Sequence, residues 1–135
     1  MRIAYFCFIA AALSALSGMG LGIWMGMNED FTLAPVHAHI NLLGWATLAL
    51  YGLYHRGVTR RCDALAWVQV GAGALGMPVM TGGLAAYLAT GADAAPLIIA
   101  GSLAVLAGMA LFLVVLVLDL RAALPARRPA AGLRA

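Results

Sequence analysis

Pro35-Val36-His37-Ala38-His39-Ile40-Asn41-Leu42-Leu43-Gly44-Trp45 opens an apolar run that continues through Ala46-Thr47-Leu48-Ala49-Leu50-Tyr51-Gly52-Leu53-Tyr54-His55-Arg56. A helix needs about 20 such residues to cross a hydrocarbon core of roughly 30 Å, so the run is of membrane length. It also carries all three histidines of the chain. His37 and His39 stand two positions apart, and on an α-helix their imidazoles diverge by about 200°. One helix cannot close both on a single metal ion. Each requires its own neighbour.

The rest of the chain is of the same character. Its 135 residues make one domain, 64% hydrophobic and only 10% charged, where a soluble domain carries about 25% charged residues. Mean hydropathy is +0.98. The fold class expected is therefore an all-α integral membrane protein. The net charge of +3 does not point to nucleic acid. There is no lysine, and Arg2, Arg56, Arg60, Arg61, Arg121, Arg127, Arg128 and Arg134 all lie outside the apolar runs, where they act as topology signals. Cys7 and Cys62 form neither a CxxC pair nor a CxxCH heme-attachment motif.

Four transmembrane helices are expected, over residues 3–27, 35–54, 64–89 and 95–118, followed by a basic tail over 121–135. The first run resembles a signal peptide in its opening, but apolar residues continue to Met27, too far for a signal core. It is expected to remain as a helix. Gly18, Gly22 and Gly26 leave one side of it without side chains, a pattern that favours close helix approach in lipid. Asp30 or Thr32 is suited to cap the second helix, with Pro35 in its first turn. Pro78 is expected to kink the third.

Arginines cluster at the start, after the second span and in the tail, while the other two loops carry Glu29, Asp30 and Asp93. Four spans with both termini cytoplasmic, in a bacterial inner membrane, satisfy the positive-inside rule at every loop. His37 and His39 then lie near the outer face and His55 at the inner one. Asn41, Gly44, Leu48, Tyr51 and His55 fall within about 40° of His37 at about 100° per residue, so this face is expected to point into protein. His39 heads the other side, above Leu43, Ala46 and Leu50: a ligand nitrogen over an apolar wall. His55 is expected to be solvated or bonded to headgroups beside Arg56. Met77 and Met80 are further candidates for an axial heme ligand.

His37-Ala38-His39-Ile40-Asn41, with the Gly44-Trp45 continuation, resembles the catalytic subunit of heme–copper oxidases (cytochrome c oxidase subunit I). In that family an H-x-H pair near the outer end of one span ligates hemes on both sides of the helix. The resemblance implies His37 and His39 as iron ligands, with Asn41 and Gly44 in the cofactor-binding segment. The family core has twelve spans in three arcs of four. This chain would be one arc, rebuilding the ring as a homotrimer. It lacks histidines for the family's copper site, which leaves catalytic oxygen reduction unsupported.

Four functions follow. The first is a b-type, bis-histidine heme protein serving electron transfer or heme binding, with lipid and its own copies as partners and no redox partner specified. The second is a five-coordinate heme enzyme acting on dioxygen or nitric oxide. The third is a copper- or zinc-binding protein using the same histidines. The fourth is an assembly protein without cofactor.

Overall fold

The computed structural model of the protein describes residues 2–58 and 63–124. The loop with Arg60, Arg61 and Cys62, and the tail from 125 onward, lie outside the described residues. Among these residues every regular element is helical. The elements are α1 (Arg2–Asn28), α2 (Ala34–His39), a π-helical segment (Ile40–Ala46), α3 (Thr47–Gly57), α4 (Asp63–Thr90) and α5 (Ala95–Ala123). Three helices are individually long and apolar enough to cross a membrane: Arg2–Asn28, Ala64–Thr90 and Ala95–Ala123. The histidine run is not one α-helix. It is α2, the π segment and α3 end to end, one continuous helical rod over residues 34–57.

The helix ends follow local chemistry. α1 stops where Glu29 turns left-handed (φ 53) and the Asp30 N–H returns to Met25 O at 3.2 Å. Pro35 lies in the first turn of α2, where a missing N–H costs nothing. The expected side-chain cap is absent, since Leu33 occupies the cap position. Asp30 instead accepts the Thr32 N–H at 2.9 Å, a local turn that competes with capping. This bond and that of the Thr32 hydroxyl hold the Asp30 carboxyl below its usual range. Gly91 (φ 68) ends α4, a conformation that a side chain would strain.

α4 stays helical on both sides of Pro78, and α5 runs past the expected end at 118 to Ala123. The extension has a cause: the Tyr54 hydroxyl donates to the Asp119 carboxylate at 2.7 Å, tying the last turns of α5 to α3.

Neighbouring rods run antiparallel. Gly22 meets His37, Gly18 meets Asn41, Gly44 meets Ser14, and Gly52 meets Phe8 and Cys7. This register places Arg2, Arg56 and Arg121 at one end of the molecule and Glu29, Asp30 and Asp93 at the other. The α4–α5 hairpin is the closest pair. A Cβ on Gly76 would lie 2.9 Å from Gly101 O, and one on Gly108 2.9 Å from Gly73 N. Without a hydrophobic drive between helices in lipid, such backbone approach supplies the association through dispersion. A buried cluster of Cys7, Ala11, Leu48, Tyr51 and Val70 joins α1, α3 and α4, with Phe112 of α5 packed against it.

The glycine strip of α1 packs over two of its three members. Gly18 and Gly22 face the histidine rod, whereas a Cβ on Gly26 would meet nothing within 4 Å. The outer surfaces are apolar: Leu97, Ile99, Leu103, Leu106 and Leu113 of α5 are all exposed, as a lipid-facing helix requires.

Candidate histidine site

His37 and His39 do diverge. His37 turns inward, into the notch that Gly18 and Gly22 leave in α1. Its Nδ1 lies 2.8 Å from Gly18 O. A carbonyl only accepts, so Nδ1 carries the proton and Nε2 keeps the lone pair. The Asn41 amide donates to His37 O at 2.9 Å and passes 3.4 Å from His37 Nε2. A Cβ on Gly22 would reach His37 Cε1 at 2.9 Å, and one on Gly18 would reach the Asn41 amide. The two glycines thus shape a cradle for the imidazole and its amide neighbour.

His39 points away from α1. Its Nδ1 donates to Pro35 O at 2.6 Å, which again leaves the lone pair on Nε2. Below it on the same rod, Leu43 and Ala46 are half-buried, while Leu42, Trp45 and Leu50 are exposed at 63%, 51% and 62%. Both histidines share one feature. A backbone carbonyl holds Nδ1–H and fixes the tautomer whose Nε2 can donate electrons, the usual outer support of a metal-ligating imidazole.

The π segment between the histidines and α3 is the main local departure from a regular helix. The Thr47 N–H returns five residues, to Leu42 O, and the Thr47 hydroxyl donates to the same oxygen at 2.8 Å. Gly44 sits within this widened turn, where a Cβ would lie 2.7 Å from Ser14 and 2.8 Å from Met77 Cε. π turns concentrate at functional sites. This one separates the histidines from the buried half of the rod.

That buried half confirms the inward face: Leu48 and Tyr51 are sealed in, and Gly44 is buried. His55 differs from expectation. It is 5% exposed rather than solvated, and its Nε2 lies 2.9 Å from Oε1 of Gln69, which is 0% exposed. Burial without a hydrogen bond would cost on the order of 1–3 kcal/mol, so the amide of α4 and the imidazole of α3 stabilise each other. Gln69 is the one amide in its long apolar span, which marks a polar group in need of a partner but not the element that supplies it. Met77 and Met80 are also buried. The Met77 sulfur accepts from Thr81 at 3.7 Å, on the protein side of the rod.

Among the described residues no three of His, Cys, Asp and Glu come together to hold a metal ion. No family model, no curated protein and no solved structure matches this chain.

Proposed function

We propose that this chain is a four-span membrane protein that binds b-type heme, with His39 as an axial ligand and assembly of several copies completing the site. The observation that carries this reading is the His39 Nδ1–H bond to Pro35 O, which leaves the Nε2 lone pair of a half-buried imidazole for a ligand. The continuous rod over residues 34–57 supplies the fourth span, its length sufficient although its three segments differ in helix type. With arginines at one end and acids at the other, both termini belong in the cytoplasm of a bacterium, and the chain in its inner membrane.

His37 is the partner for the opposite axial position. Because it diverges from His39, the two cannot serve one heme within one chain. A ring in which His37 of one copy faces His39 of the next gives every copy the same environment. Three copies restore the twelve-span core that His37-Ala38-His39-Ile40-Asn41 resembles. Held by His37 and His39 of neighbouring copies, a heme would supply one-electron transfer rather than ligand activation. In this arrangement Pro35 O orients His39, Gly44 keeps the rod slim where it crosses Ser14, and His37 leaves the notch at Gly18 and Gly22 to reach the next copy.

A second reading rests on the Asn41 amide, which already approaches His37 Nε2. If His37 stays in its cradle, His39 alone holds the iron and the site is open to dioxygen or nitric oxide. The visible spectrum of the purified protein separates these. Sharp α and β bands on reduction, unchanged by carbon monoxide, are expected. A carbon monoxide shift favours the open site, and the lack of any Soret band with a heme supply present refutes heme binding.

A further inference from the structure

A second candidate site lies on the other side of the π segment, in a cleft of about 210 Å³ between α1, the π segment and α4. It is lined by Leu13, Ser14, Ser17, Ile40, Met77, Pro78 and Thr81. Ser14 (8% exposed), Met77 (8%) and Thr81 (5%) form its floor. Leu13, Ser17 and Pro78 are exposed along its rim. The cleft opens sideways between apolar helices, so whatever enters arrives from the bilayer and not from water.

Its polar lining has one sign. Each hydroxyl has a single proton and two lone pairs. Ser14 donates that proton to Ala10 O, Ser17 to Leu13 O and Thr81 to Met77 O, all at 2.9 Å. Thr81 also reaches Met77 Sδ at 3.7 Å and Pro78 O at 3.5 Å, so each of the three hydroxyls has its acceptors on its own helix. What the oxygens have left is acceptor capacity. The cleft therefore offers acceptors and no donor, inside walls of leucine, isoleucine, methionine and proline. An apolar cavity of about 150 Å³ is enough to hold one benzene ring, so this cleft has room for one ring with a small substituent.

We propose that the cleft binds the hydroxylated ring of a membrane-soluble amphiphile, a phenol-type head whose O–H donates to a serine or threonine oxygen while its tail remains in lipid. The ring packs against Met77, Pro78 and Ile40, and the hydroxyl selects among lipids. A purely hydrocarbon ligand gains nothing from the oxygens, and an anionic headgroup would face lone pairs alone. The heme assignment has no part in this inference: it stands on the cleft's size and on the direction of three hydroxyl protons.

The test compares para-propylphenol with para-propylanisole, its O-methylated analogue, on the full-length protein in mild detergent. Apparent affinities come from the ligand dependence of the melting temperature. One net hydrogen bond is worth about 0.5–1.5 kcal/mol, so the phenol is expected to bind roughly 3- to 10-fold tighter than the anisole. Combining Ser14→Ala, Ser17→Ala and Thr81→Val, which removes all three oxygens, should erase that preference while still permitting weak binding of both. No replacement has more heavy atoms than the original side chain, so the variant is expected to fold. Equal affinities for the two ligands, absence of binding by either, or a preference that survives in the triple variant would each overturn the proposal.

Discussion

Alanine at position 39 is expected to abolish most heme binding, lowering affinity by more than about 100-fold. Loss of an outer-shell partner alone typically costs 10–100-fold, and here the ligating nitrogen itself is removed. His37→Ala should also lower the heme bound per chain, because it deletes the second ligand and empties the cradle formed by Gly18 and Gly22. His55→Ala serves as the contrast. It leaves Gln69 without its imidazole partner inside the protein, so the melting temperature should fall while heme per folded chain stays the same. Heme content by pyridine hemochrome, normalised to folded protein, reads all three. Full retention in His39→Ala would remove the ligand assignment.

The largest effect on stability is expected at Gly101. A Cβ there would run into the backbone of α4 at Met80 and Gly76, and backbone cannot swing aside as a side chain can. Gly101→Ala should destabilise the protein by about 1–3 kcal/mol through overpacking, even though alanine is the better helix former. Gly82 lies on the same hairpin with nothing within 4 Å of its Cβ position. Gly82→Ala should be neutral or stabilise by up to about 1 kcal/mol. Thermal unfolding in detergent, followed by circular dichroism, compares the two. Equal effects would mean that the α4–α5 contact is looser than described.

Both sites show how far the sequence could be read. The helical class follows from apolar runs whose lengths exceed any strand, and the divergence of His37 and His39 follows from helix geometry alone. The inward face from Gly44 to Tyr51 was likewise legible, because period and polarity agree there. Four features were not. The π turn depends on how Gly44 fits against Ser14 and Met77, a tertiary contact that no local pattern encodes. Gly26 shares the spacing of Gly18 and Gly22 but lies beyond the reach of the rod, so equal spacing did not mean equal packing. His55 looked like an interfacial residue beside Arg56, yet Gln69 on α4 gives it a buried partner. Long-range pairs of this kind appear only once the helices are placed. The carbonyls of Gly18 and Pro35, which set the histidine tautomers, are main-chain groups and leave no trace in residue identity.

The central claim is that heme and assembly depend on each other, since one chain offers two imidazoles that cannot meet on one iron. Native mass spectrometry of the heme-loaded protein in mild detergent tests this most directly. Heme is expected only on assemblies of several chains, with a trimer dominant, and heme-free chains should shift toward monomer. A monomer that keeps a full complement of bis-histidine heme would contradict the account.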